Sequence, residues 1–454
     1  MPILLVTIFS IKELIMKKDQ TYHQYRPVSR RDFIKTSAAI SVAALAPGAS
    51  HIFAAGSDKI RVGLIGCGGR GTGAAIDCVT SSEGVEIVAM GDLFQDHLES
   101  SLIKLKEKLP GKRLKVTKKT SFAGFDAYKN VIASDVNLVI LATPPHFRPE
   151  HLKAAVEADK HVFTEKPVAV DPVGIRSIMA TSELAERKNL AIVAGTQRRH
   201  QAHYLEIMKR IHDGAIGEIV GGQCYWNMEA LWIERAKNNW TNKEKQGWSD
   251  MEWQCRNWLF LDWLSGDHIV EQHVHNLDVI NWAIGSHPTQ IMGMGGREVR
   301  TGPEYGNIYD HFAVEYEYPN GVRIVSMCRQ TAGCSVRVSE RVVGTKGTTY
   351  TDSSNGFIEG KNPFKPEASS PNPYVQEHAD LIASIREGRI LNEGRTVAES
   401  TLTAIMGRMS AYTGRELKWD WAMKESKLDL TPLKYEFGDL PMNPVPVPGQ
   451  TKLI

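Results

Sequence analysis

The sequence predicts an α/β protein of two successive domains behind a separate leader, and three observations carry that reading. A β-rich run, Ile60–Ile65, ends in Gly66-Cys67-Gly68-Gly69-Arg70-Gly71 and a helical stretch. Strand and helix patterns then alternate to about residue 197. Beyond about residue 310, apolar and polar residues alternate with period two, as in half-buried strands.

Composition sets the frame. The 454 residues carry 54 Lys+Arg and 52 Asp+Glu, a formal net charge of +2. Hydrophobic residues make up 42%, charged residues 23%, and mean hydropathy is −0.27. These values exclude a disordered tail protein, a collagen-like fibre and a disulfide miniprotein. The near-neutral charge argues against nucleic acid as a partner. No apolar run approaches the roughly 18 residues of a membrane helix.

The first 55 residues differ from the rest. They hold seven Lys/Arg and three Asp/Glu, leaving 47 against 49 for the remainder. Ser29-Arg30-Arg31-Asp32-Phe33-Ile34-Lys35 resembles the twin-arginine export signal at every position. A mildly apolar, Ala-rich run (36–46) follows, and the small residues at 54–56 offer a cleavage site. The leader (1–55) is therefore set apart from the fold, and the mature protein is expected in the periplasm. No cysteine ends the leader, so no lipid anchor is expected after processing. Met16, followed by Lys17-Lys18, looks like a more natural start than Met1; N-terminal sequencing of the precursor distinguishes them. The six cysteines form no C-x-x-C pair, so they predict neither a zinc site nor a redox motif. They are expected as free, buried thiols.

Each element of the first domain has a reason. The run at 60–65 is a strand, and 72–79 is the helix after the glycine loop. Gly66 permits a tight turn, Gly68 lets the backbone approach a pyrophosphate, and Gly71 lets helix and strand pack closely. Gly69 and Arg70 complete the loop, and the helix N-terminus offers free N–H groups to phosphates. A second strand, 85–90, runs into Gly91-Asp92. Asp92 lies 26 residues after Gly66, where a carboxylate meets ribose hydroxyls and repels a 2′-phosphate. NAD is therefore expected over NADP. A buried parallel strand at 136–142 ends in Thr143-Pro144-Pro145-His146. A helix (148–158) and the segment 161–163 lead to Glu165-Lys166-Pro167. A helix at 172–187 and a strand at 191–194 follow, with Gln197 just beyond. Ligands bind at the carboxyl ends of such strands, so all these loop residues are cofactor-site candidates.

The glycine loop, Ala142-Thr143-Pro144-Pro145-His146, Glu165-Lys166-Pro167 and a later H-x-x-D-x-x-x-W helix from His275 to Trp282 occur in one order. Together they resemble the Gfo/Idh/MocA oxidoreductase family over roughly residues 59–425. The resemblance implies a Rossmann NAD-binding domain at 59–197. It also implies a substrate domain at 198–454, built on a large, mostly antiparallel sheet with one open face used for homo-oligomerisation, as a dimer or tetramer. It places Lys166 near both nicotinamide and reacting hydroxyl, where an ammonium polarises the alcohol. The Lys166–Pro167 bond is often cis in the family.

His275 matches the family's general base. Glu271 stands where inositol dehydrogenase has an aspartate, and the i, i+4 spacing predicts both on one helical face. On that geometry Glu271 orients the imidazole, although its extra length also lets it reach substrate. His273 replaces a common glycine and adds a ring to the substrate pocket. His268, Glu271 and His275 also raise a metal reading, but the family uses no catalytic metal and none is expected. Arg198 and His200 enter the second domain. Tyr225 and Asn227, flanking Trp226, end a strand that begins near residue 218. These four are further candidates for contact with a sugar. Seven of the ten tryptophans lie from Trp226 to Trp263, as a sugar-stacking surface or a packing insert. Strands at 312–318 and 322–328 form a hairpin, helices at 374–387 and 397–413 close the domain, and the Pro-rich tail from Leu440 is extended.

The function this implies is an exported NAD-dependent oxidoreductase acting on a secondary hydroxyl of a sugar or glycoside. Export favours a tightly retained cofactor, whose hydride must return within the same site. One alternative is a redox-neutral, NAD-dependent glycosidase of the glycoside hydrolase family 109 kind, although that branch lacks the intact Glu-Lys-Pro motif. The other is a non-catalytic sugar-binding protein on the same fold.

Overall fold

The computed structural model describes residues 59–109, 111, 113–367 and 371–454. The export signal, the cleavage stretch and the alternative start lie outside the described residues.

The first half alternates strand and helix. Its elements are β1 (Ile60–Ile65), α1 (Gly69–Ser81), β2 (Val85–Asp92), α2 (Gln95–Lys108), β3 (Ser121–Ala123), α3 (Ala127–Ala133), β4 (Leu138–Leu141), α4 (Arg148–Glu157), β5 (His161–Thr164), α5 (Pro172–Arg187) and β6 (Ile192–Ala194). They form a parallel sheet of six strands in the order β3-β2-β1-β4-β5-β6. Every residue of β4, β5 and β6 is buried, as expected for strands covered by helices on both faces. Asp171 caps α5 by accepting from the Gly174 N–H, with Pro172 at the first helical position. The strand order reverses between β1 and β4, which opens a crevice at their carboxyl ends.

The second half contributes α6 (Ala202–His212), β7 (Ile219–Met228), α7 (Ile233–Gln246), α8 (Asp250–Arg256), α9 (Asp262–Ser265), α10 (His268–Glu271) and α11 (Val274–Ile284). Then come β8 (Gln290–Gly296), β9 (His311–Glu317), β10 (Arg323–Gln330), β11 (Arg337–Gly344), β12 (Gly347–Thr351) and β13 (Gly356–Gly360). The chain finishes with α12 (Pro373–Glu387), α13 (Gly394–Thr413), β14 (Leu417–Lys418) and α14 (Trp419–Lys424). The eight strands lie in the order β13-β12-β11-β7-β10-β9-β8-β14. Pairing is antiparallel except between β7 and β10. Helices α11 and α13 cover one face. Met292, Met294, Val325 and Met327 stand exposed on the strands, so the other face is open. The predicted hairpin is β9–β10, turned at Gly321 with φ +77°.

Three features differ from the sequence reading. The segment expected as one helix through Glu271 and His275 is two helices, α10 and α11, separated at Gln272 and His273. Helix α12 returns to the first sheet, packing on α1, β5 and β6. Cys334 is exposed, whereas the other five free thiols are buried. Among the described residues no helix is long and apolar enough to cross a membrane.

Candidate active site

The glycine loop is shaped by its own backbone. Gly66 has φ +96°, and a Cβ there would sit 2.5 Å from main-chain atoms of Ala142 and Thr143. A Cβ on Gly71 would meet the Gly66 carbonyl oxygen at 1.9 Å. Only glycine fits either position. At Gly68 and Gly69 a Cβ would meet nothing within 4 Å; these two face open space, and no side chain caps α1. The loop thus leaves a bare, N–H-lined wall for a phosphate group. Asp92 fixes it: Oδ2 accepts from the Cys67 N–H at 2.6 Å, and Oδ1 accepts from the Phe94 N–H at 2.9 Å. Each carboxylate oxygen has a second lone pair, so Asp92 can still accept a ribose hydroxyl. The loop, Asp92, Thr143 and Pro144 line a cavity of about 350 Å³. Its donors, open glycines and single carboxylate fit NAD.

Not every residue of the predicted cofactor set lines this groove. Pro145 and His146 are turned away: both are buried, and the His146 ring bonds the Tyr435 hydroxyl at 2.8 Å. The 3₁₀ turn they begin directs them toward the C-terminal tail. Arg70 lines the groove and pairs with Glu165 at 2.6 Å. Glu165 itself is buried against Gly195, and Gln197 donates to the Tyr374 hydroxyl at 3.2 Å. Arg148, which the sequence offered only as the start of a helix, joins the two loops. Its buried guanidinium donates to the carbonyls of Thr143, at 2.7 Å, and Pro167. Burial holds its pKa down, to about 10. The Lys166–Pro167 peptide is cis.

Lys166 meets the second domain at the helix break. In a continuous helix the Glu271 carbonyl would accept from the His275 N–H. Here the His275 N–H turns to Gln272, and the freed carbonyl accepts from Lys166 Nζ. Glu271 Oε1 lies 3.2 Å from the same ammonium. This corrects the expected role of Glu271: its carboxylate serves Lys166, not His275, because the break removes their common helical face. His275 is buried, with Nδ1 unpartnered, and its ring lies parallel to Trp226 at 5.8 Å. Burial first, then the charges of Lys166 and Arg198, hold it well below the ordinary histidine value. The imidazole is therefore neutral at pH 7 and able to take a proton.

The proposed sugar contacts divide differently. His273 is fully buried, with Nε2 2.6 Å from Ser326 Oγ on β10, so it adds no ring to a pocket. His200 is locked between Asp380 at 2.6 Å and Glu393 at 3.3 Å. Burial opposes its charge, but these hydrogen bonds outweigh it and push the pKa up to about 10. Arg198 is buried on Glu340 at 2.6 Å and lies over the Trp226 ring, which places it beneath the site. Tyr225 and Asn227 point to the open face: Arg337, paired with Asn227, lies over the Tyr225 ring. Side chains alternate along a strand, so Trp226 is the residue of this trio that faces His275. The tryptophan-rich segment packs largely on itself: Trp253 and Trp263 are buried, whereas Trp232 and Trp258 reach the dinucleotide groove. Among the described residues no group of three or more His, Cys, Asp or Glu is arranged to hold a metal ion.

Comparison with known proteins adds identity to this geometry. Residues 60–196 match the model described as oxidoreductase family, NAD-binding Rossmann fold. Residues 204–350 match the GFO/IDH/MocA C-terminal domain. A 2,7-anhydro-N-acetylneuraminate hydratase of Escherichia coli K12 is 28% identical over 221 residues, 48% of this chain and 52% of the relative. A glycosyl hydrolase family 109 protein of Shewanella amazonensis is 27% identical over 235 residues, 47% of this chain and 50% of the relative. The chain spans about half the length of these curated relatives. The crystal structure of scyllo-inositol dehydrogenase from Lactobacillus casei, with bound NAD(H) and scyllo-inositol, matches with a TM-score of 0.60. It is 18% identical, and the match covers 79% of this chain and 99% of that one, so it shares the fold. The two family models are adjacent and together take in more than half of the sequence. With an NAD-binding Rossmann domain followed by the matching C-terminal domain, this chain belongs to the Gfo/Idh/MocA oxidoreductase family.

Proposed function

We propose that the protein is an exported, NAD-dependent oxidoreductase that acts on a secondary hydroxyl of a sugar or glycoside and keeps its cofactor bound. The observation that carries this reading is the meeting of Lys166 with Glu271 across the domain junction, close enough to a buried, neutral His275 for the ammonium to help hold its pKa down. Gly66, Gly68, Gly69, Gly71, Asp92, Thr143 and Pro144 hold the dinucleotide. NAD, when bound, supplies the hydride acceptor. Lys166 Nζ, held by the carbonyl and carboxylate of Glu271, polarises the substrate oxygen and stabilises the developing alkoxide. His275 takes the hydroxyl proton; its lowered pKa keeps it unprotonated in neutral solution. Trp226 and the buried Arg198–Glu340 pair fix the floor beneath the imidazole. The twin-arginine pattern supports a periplasmic location, and the open sheet face supports a homo-oligomer, dimer or tetramer.

A second reading is a redox-neutral cycle in which the hydride returns to the same substrate. It is favoured by relatives named for hydration and glycoside hydrolysis, neither of which is a net oxidation. Glu271 also provides a carboxylate at Lys166 for a proton transfer that such a cycle requires.

The test is Lys166→Met. Turnover of glycosides is expected to fall by at least about a thousandfold, while NAD(H) released from the denatured protein stays at the wild-type amount. Undiminished turnover refutes the assignment. Product analysis on the wild type separates net oxidation from cleavage.

A further inference from the structure

The dinucleotide groove has a wall that the Rossmann domain does not supply. Trp232, between β7 and α7, has φ +59° and ψ +27°, a left-handed conformation rare for a bulky residue. Such backbone persists only where its surroundings hold it, and it clusters at ligand sites. Trp232 is 42% exposed as a residue. It is edge-on to Trp258 at 5.7 Å and covered on one face by the Arg235 guanidinium at 4.7 Å. Trp232, Arg235 and Trp258 line the same 350 Å³ cavity as Gly66, Gly68 and Asp92. Arg235 also lines an adjoining cleft of about 1160 Å³ that contains Gly68 and Gly69.

The charges across this cavity are unbalanced. The glycine loop and the uncapped start of α1 present partial positive charge from one side. Arg235 presents a full positive charge from the other; besides lying over Trp232 it makes one hydrogen bond among the described residues, to the Arg256 carbonyl at 3.3 Å. Burial and the neighbouring Arg256 push its pKa down, against a smaller opposing pull from Asp96, which is itself paired with Arg256. A diphosphate between the two walls answers both charges, and an indole beside Asp92 offers a stacking surface for adenine.

The wall is also tied in place. Arg256, at the end of α8, bonds Asp96 at 3.1 Å and lies over the Phe94 ring at 3.9 Å. The C-terminal tail binds both sides: Phe437 stacks on Phe94 at 6.0 Å, and Gln254 donates to the Leu440 carbonyl at 2.6 Å.

We infer that Trp232 and Arg235 of the second domain form a fixed cap over the adenosine-diphosphate half of the groove, and that this cap makes NAD a resident group. The inference rests on the reading of the groove as an NAD site and adds the residues that govern release. NAD(H) leaves only when α7 and α8 part from the loop after β2.

The experiment uses the full chain loaded with NADH and chased with excess NAD, following energy transfer from protein tryptophan to NADH. Trp232→Gly is the informative variant, because glycine adopts φ +59° without strain. Its NADH release is expected to be at least about tenfold faster than that of the wild type. Arg235→Gln is expected to weaken NADH binding and flatten its salt dependence. Release from Trp232→Gly at the wild-type rate, with Arg235→Gln unchanged in affinity, overturns the cap and leaves the cofactor assignment standing. A wild-type chain that takes up no NAD(H) overturns both.

Discussion

His273 and His275 stand two positions apart and meet the same sheet face at different points. His273 lies at the helix break. Its ring contacts Ser326 and Cys224, whereas the His275 ring lies against Trp226, two residues along β7 from Cys224. Burial lowers the His273 pKa to about 3, against an ordinary value of about 6.5. Below that ordinary value the unfolded chain binds a proton that the folded chain refuses. Stability then falls by up to about 1.4 kcal/mol per pH unit as pH drops. His273→Asn removes this term. The stability advantage of the wild type over the variant, read from denaturant midpoints, should shrink by about 2 kcal/mol between about pH 7.5 and about pH 5. A gap that stays constant counts against a buried neutral imidazole. At this scale the residue types of the site, Lys166, Glu271 and His275, were legible from their motifs. The partner of Glu271 was not, because i, i+4 spacing identifies neighbours only if the helix is unbroken.

At the scale of elements, the missing information is mostly which way a side chain faces. Strand β7 was legible, but its register was not: a one-residue error exchanges pocket and open face. Cys224 is fully buried, Trp226 lies over His275, and Tyr225 lies under Arg337 on the other side. Trp226→Ala should cost about 2–3 kcal/mol, toward the low end for loss of a large aromatic because it is only partly buried. Tyr225→Ala should cost less, about 1 kcal/mol, because the half-buried ring lies on the open face and loses mainly its cation–π contact with the exposed Arg337. Equal losses in chemical denaturation would place both rings in the same environment. The start of α10 is fixed from afar. Asp267, at φ +71°, accepts from the Tyr309 N–H at 2.7 Å and the Tyr412 hydroxyl at 2.6 Å. Gly266-Asp267 signalled that helix start, but no residue signalled the break at Gln272 and His273.

For the whole molecule, the alternation to residue 197 was enough to read most of the first sheet, whereas the second was legible from periodicity only at the strand near 218–227 and the β9–β10 hairpin, its size and open face following from the family resemblance. The tail was legible as extended but not as a tie between domains, since its partners are hundreds of residues away. Tyr435 bonds His146, and Phe437 stacks on Phe94. Leu430 and Leu440 pack on an apolar cluster that includes Phe147, Leu259 and Ile308. Removing residues 428–454 uncovers that cluster. The shortened chain should melt several degrees lower and should be cut by trypsin within α7, where Arg235 and Lys237 lie. An unchanged melting temperature and cleavage pattern would show that the tail is dispensable.

The return of α12 reverses the order in which the protein is made and finished. Leu381, Ile382 and Ile385 complete the cluster that contains Phe163 and Val193. The Ile192 and Ala194 N–H groups donate to the Leu391 carbonyl and the Glu393 carboxylate, at 3.0 and 2.8 Å. When the ribosome has released the parallel sheet, the helix that seals its far side is still unmade. The nucleotide-binding half must wait, with apolar surface uncovered, while about two hundred further residues emerge. Closing so long a loop is slow. The portion of the chain synthesised first is thus among the last to reach its finished state, and early truncations strand it half-built.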